Sequence, residues 1–156
     1  MSTSKVLANR FREVILNGTW IANTNWQMQL TDITSQQATT KIESFNTIAA
    51  LTFHIDYYIA GILQVFEGGT LDIKDKYSFD MPSVNSEEDW QNLKQKLFSD
   101  SEKFAAHVEK MADEKLTTSF VDEKYGTYAR NIDAMIEHAY YHLGQIALLK
   151  KMVLEK

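Results

Sequence analysis

Not one cysteine occurs among the 156 residues, so no disulfide can brace the fold and any metal ion must be held through nitrogen and oxygen. Proline occurs once, at Pro82, inside a polar stretch. Clusters of basic residues are missing as well: 16 Lys and Arg stand against 21 Asp and Glu, and the formal net charge is −5. Nucleic acid, whose phosphates demand a positive surface, is therefore not an expected partner. No run approaches the roughly 18 apolar residues of a membrane span, so no membrane partner is expected. Met1 through Arg12 mixes Ser, Lys, Asn and Arg with its apolar residues and lacks the apolar h-region of a signal peptide, which makes a cytoplasmic location the expectation. No stretch alternates as a strand does, nothing repeats, and there is no low-complexity segment. Nothing resembles a serine nucleophile beside a base, and no glycine-rich phosphate loop follows a strand.

What remains is ordinary in amount and periodic in arrangement. An apolar share of 44% and a charged share of 24% are those of a globular protein. Residues 1–156 are read as one domain, and a domain of about 150 residues buries roughly 68 to 70% of its unfolded surface. From about Lys5 to Leu16 the residues Leu7, Phe11, Val14 and Ile15 form one stripe, which Asn17-Gly18 stops. Residues 19 to 42 read as a connection with local helix, anchored by Trp20 and Trp26, with a short capped turn from Asp32 to Ala38. A second helix runs from about Ser44 to Glu67 on Ile48, Leu51, Ile55, Tyr58, Ile62 and Val65, and Gly68-Gly69 ends it. Residues 70 to 85 are a loop, long enough to be of functional interest.

Ser86 and Asp89 then have the spacing of a capping box, in which hydroxyl and carboxylate each accept from a free backbone N–H. The third helix carries the stripe Trp90, Leu93, Leu97, Phe104, Val108 and Met111. A polar connection over 113 to 126 ends in Tyr125-Gly126. The fourth helix spans about Tyr128 to Leu154 through Ile132, Met135, Ile146, Leu149 and Val153. Four long amphipathic helices without a strand predict an all-α four-helix bundle.

Chemistry is concentrated in the histidines, of which there are 4. His138 and His142 lie four apart, so on a helix they share a face with Cβ atoms roughly 5 to 6 Å apart. Met135, His138, His142, Ile146 and Leu149 step by three and four, which places both rings in the apolar stripe. His54 sits one turn from Ala50, Leu51 and Tyr58 in an equally apolar run. All three are expected to aim inward, where bundles build metal sites from facing helices. Each taken alone is more simply a hydrogen-bonded core histidine, and random placement of the histidines yields some i, i+4 pair in roughly one sequence in fourteen. Together they argue for a shared ion, because three buried imidazoles without partners would cost several kcal/mol.

The segment His138-Ala139-Tyr140-Tyr141-His142 is not a metalloprotease helix, since Ala stands where H-E-x-x-H has its catalytic Glu. Glu137 points about 100° away around the helix and reads as a solvated charge. Gln145, one turn beyond His142, or a backbone carbonyl can accept a ring N–H. Tyr58 and Tyr141, a turn from ligands, are candidates to donate to a metal-bound group, whereas Tyr57 and Tyr140 read as packing. His107 reads as structural, and Asp56 and Asp133 as exposed helix charges.

Thr52-Phe53-His54-Ile55 and the late segment Ile136-Glu137-His138-Ala139-Tyr140-Tyr141-His142-Leu143-Gly144-Gln145-Ile146 strongly resemble the DinB-like superfamily of small bacterial four-helix bundles. The resemblance extends over essentially the whole chain, and its most specific part is H-x-x-x-H followed by Gly-Gln-Ile. It implies a divalent ion, zinc or nickel, on His54, His138 and His142. It also implies transfer of low-molecular-weight thiols such as bacillithiol or mycothiol, or a hydrolase-like activity, in a homodimer.

Two function classes follow, with a third behind them. The first is a metal-dependent enzyme, in which three neutral imidazoles leave positions for water, thiol or substrate. The second is a non-catalytic dimeric bundle, a binding or stress-response protein whose metal is structural or absent. The third is a ligand carrier with an aromatic pocket at the bundle mouth. Three nitrogen ligands suit zinc, nickel, copper or iron alike, and neither substrate nor dimer face can be read from the residues.

Overall fold

The computed structural model of the chain describes residues 1–155. Seven α-helices account for most of the regular structure of the described residues: α1 (Thr3–Arg12), α2 (Trp26–Leu30), α3 (Ser35–Ala38), α4 (Ile48–Phe66), α5 (Glu87–Lys110), α6 (Asp113–Leu116) and α7 (Tyr128–Leu154). No strand occurs among the described residues, only an isolated bridge between Ser119 and Thr127. The molecule is thus all-α. Of the long helices, α4 lies against α5 and α7, and α1 also lies against α5 and α7. Their buried faces supply most of one continuous apolar cluster.

Local chemistry sets the helix ends. Side-chain oxygens of Ser2, Thr47, Ser86 and Thr127 each accept from a backbone N–H in the first turn of α1, α4, α5 and α7. Thr47 moves the start of α4 to Ile48, later than the Ser44 expected from periodicity. At α5 the Asp89 carboxylate accepts from Asn85 N–H, one residue before the cap, so the box is displaced outward by one position. A full capping box does occur at α3, between Thr34 and Gln37. Beyond α1 the chain opens into a π-turn, Glu13–Asn17, which keeps the adjacent Val14 and Ile15 both buried.

Three expectations are corrected here. Trp20 anchors nothing: it is 83% exposed, whereas Trp26 is fully buried. Asp56 is not an exposed charge but is buried on the side of α4 that meets α5, where Lys96 Nζ bonds its Oδ2 at 2.9 Å and also bonds Asp100 at 2.6 Å. Its Oδ1 has no partner, and burial raises its pKa to about 7. Finally, α4 is long and apolar enough to cross a membrane by length and composition, although more than half of it is buried inside the protein.

Two tryptophans tie the polar connection of residues 19 to 42 to the long helices. Trp26 Nε1–H donates to the Ala139 carbonyl at 2.9 Å, and Trp90 Nε1–H donates to the Ile33 carbonyl at 2.7 Å. Both bonds are buried, so each is costly to leave half made. Trp26→Phe keeps the ring and removes the donor; urea unfolding is expected to show a loss of about 1 to 3 kcal/mol with an unchanged m-value.

Candidate metal centre

The i, i+4 spacing on α7 and the apolar face of α4 bring three imidazoles to one point. His138 Nε2 lies 2.9 Å from His142 Nε2 and 3.2 Å from His54 Nε2. The three offered ligand atoms all fall within 4.8 Å of one another. Nitrogens bound to zinc at its usual length and a tetrahedral angle would stand about 3.3 Å apart, a spacing close to that of His138 from each of the other two rings. His54 and His142 are 6% and 7% exposed, and His138 is half-buried.

Proton positions follow from the outer partners. His54 Nδ1 faces the Ser78 carbonyl at 3.2 Å, and His142 Nδ1 faces Gln145 Oε1 at 2.7 Å. Both acceptors require Nδ1 to carry the hydrogen, which leaves a lone pair on each Nε2. These two lone pairs converge on a third ring. A proton on His138 Nε2 can be shared between them, whereas a metal ion can satisfy all three nitrogens. The donor set therefore fits a divalent cation of the kind that imidazole suits.

Electrostatics keep the rings neutral. Burial lowers the pKa of His138 to about 4, with the neighbouring His142 and His54 adding to the effect. Burial also lowers His54, followed by the charge of His142, and burial lowers His142 against the opposing pull of Gln145. Neutral imidazole is the form that binds a metal.

The loop of residues 70 to 85 closes one side of the cluster. Tyr57 Oη donates to the Lys74 carbonyl and accepts from Lys74 N–H, and Tyr58 Oη donates to Asp75 Oδ1 at 2.9 Å. Gly61 lets Ile73 lie against α4, since a Cβ there would come within 2.5 Å of the Ile73 side chain. Held this way, the loop delivers Ser78 to His54 and stacks Phe79 on the His54 ring, centroids 4.1 Å apart and planes 8° apart. Ser78 and Phe79 carry no sequence signal of this role, because the path of the loop is decided by contacts with α4. Only the unusual length of the loop pointed towards it.

The other candidates are placed as follows. Tyr58 presents its ring edge-on to His54 and to His138, but its hydroxyl is committed to Asp75, and burial raises its pKa. Tyr141 meets His142 edge-on and is 66% exposed. Gln145 both holds His142 and forms part of the wall of a ≈ 320 Å³ cavity with Phe45, Leu51, Leu148 and Met152. His107 lies outside the cluster, 3.9 Å from Glu67. Asp133 pairs with Arg10, and Glu137 pairs with Arg130 on the surface. No family model matches the chain, and neither does any curated protein or solved structure.

Two outcomes follow from this geometry. Gln145→Leu removes the acceptor that orients His142 and is expected to weaken zinc binding by roughly 10- to 100-fold in a chelator competition, with helicity unchanged. The second concerns pH in the metal-free protein. Between 6.5 and about 4 the unfolded chain binds a proton at His138 that the folded chain refuses, so acidification through this window removes stability. Asp56, raised to about 7, acts in the opposite sense, but it is common to wild type and variant and cancels in their difference. Wild type is therefore expected to lose stability relative to His138→Gln as the pH falls from 6.5 towards 4.

Proposed function

We propose that the chain is a DinB-like four-helix bundle that holds a divalent ion, zinc or nickel, on His54, His138 and His142. We propose further that it is a metal-dependent enzyme of the thiol S-transferase or hydrolase kind. The reading is carried by one observation: three Nε2 atoms converge while the opposite N–H of two of the rings is already committed to oxygen. The mutual packing of α1, α4, α5 and α7 supports the bundle. When bound, an ion held by three neutral imidazoles keeps positions for water or thiol and lowers the pKa of what occupies them.

The chain's own residues define the rest of the chemistry. Without cysteine it has no thiolate of its own, so a thiol reaction needs a low-molecular-weight thiol as cosubstrate. Phe79 and Tyr141, both exposed beside ring faces or edges of the cluster, offer aromatic contact to an incoming molecule. The cavity behind Gln145 suits the apolar part of a substrate. Tyr141 and Leu148 stand exposed on α7 with Gly144 between them, where a Cβ would meet nothing, and this face supports a homodimer contact.

The test is a screen of the zinc- and nickel-loaded protein for thiol transfer to small electrophiles and for ester or amide hydrolysis. His138→Ala is expected to lose both bound metal and turnover. Turnover that persists with no metal present would refute the mechanism. Melting with and without chelator separates the alternative: a bundle that collapses on metal removal, in a protein inert towards both substrate classes, is the signature of a structural ion in a non-catalytic binding protein.

A further inference from the structure

At the far end of α4 from the histidines the surface opens into a second and larger cleft of ≈ 650 Å³, within the range of small-molecule sites. Val65 on its wall lies roughly 16 Å along the helix from His54, so the cleft shares no residue with the metal centre. Its lining combines the apolar Phe66, Leu71, Met111 and Tyr128 with the basic Lys110 and Lys115. None of the residues lining it is acidic, in a chain with 21 acidic and 16 basic residues. Glu67, between the lining residues Phe66 and Gly68, has its carboxylate 3.9 Å from Nε2 of His107, which also lines the cleft.

A lysine in the last turn of a helix complements the helix dipole, which accounts for Lys110. Lys115, in the last turn of the four-residue α6, has its ammonium held 4.7 Å from the Tyr128 ring centroid. The dipole does not account for Val121. This residue lines the cleft, is 54% exposed, and has φ of +56° at the centre of a three-residue turn in which Asp122 N–H donates to the Phe120 carbonyl. The turn is pinned on both sides: Phe120 is buried and its N–H donates to Gly126, whose own φ is +78°, while Tyr128 N–H donates to Thr118. A β-branched residue in the left-handed region is strained, and such strain concentrates at ligand clamps. Here it projects an isopropyl group onto the cleft wall, where Gly or Asn would relieve the backbone and present no apolar surface.

We propose that this cleft is a second binding site, for a small organic anion with a carboxylate head on a flat apolar body. Lys110 and Lys115 take the charge, and Phe66, Met111, Val121 and Tyr128 enclose the body. The site does not depend on the metal reading.

An amide NMR titration of the full chain with naphthoate, and in parallel with its neutral counterpart naphthylmethanol, tests it. Naphthoate is expected to bind saturably and to shift Gly68, Gly69 and Thr70, whose residues line the cleft. The neutral alcohol, and naphthoate on the double variant Lys110→Gln/Lys115→Gln, should each bind roughly tenfold more weakly. Lys110→Arg/Lys115→Arg should retain binding. Equal affinity for acid and alcohol, binding that ignores loss of both lysines, shifts confined to the cavity around Gln145 and Leu148, or no saturable binding would each overturn the assignment.

Discussion

Two ring N–H groups, one on His54 and one on His142, decide what the centre of this molecule can do. Each is drawn to an oxygen outside the cluster, Ser78 O in one case and Gln145 Oε1 in the other. An imidazole whose Nδ1 donates has only a lone pair at Nε2, so the inward atoms become bases facing one another. Without that commitment the rings could rotate or exchange tautomers and satisfy themselves pairwise. With it, the three inward nitrogens present a donor set that fits a cation.

The surroundings are arranged to keep this constraint. Tyr57, Tyr58 and Gly61 on α4 hold the loop that carries Ser78, and Trp26 fastens the connection between α1 and α4 to α7 at Ala139, between the two site histidines of that helix. Burial withholds protons from all three rings. On the other side of α4 the buried Asp56 is answered by Lys96, so the helix that carries His54 has polar ties in two directions. A helix fixed on both flanks presents its histidine with little freedom, which is what a ligand needs if binding is not to be spent on ordering it.

The helices were largely legible because burial on a helix leaves a mark of period near 3.6. The stripe through Ile132, Met135, Ile146, Leu149 and Val153 and the expected span of Tyr128 to Leu154 agree with α7. Boundaries were less legible where a cap overrides periodicity, as Thr47 does at α4. Trp20 and Asp56 misled in opposite directions, since a large apolar ring can be left outside and a carboxylate taken inside when the next element demands it. In the connection over 19 to 42 no stripe exists to show which tryptophan turns inward; a single hydrogen bond to Ala139 decides for Trp26.

The sequence by itself determined the residue types able to bind a metal and the facing of two of them, because four positions on a helix is a geometric statement as well as a count. It also determined that no thiolate could come from the chain. Tertiary structure alone decided that His54 reaches His138 and His142, that Ser78 and Phe79 close over it, and that Lys110, Lys115 and Val121 meet around a second cleft. These are contacts between residues far apart along the chain, and no local period encodes them. They arise from how helices, each with one apolar face, share a single core.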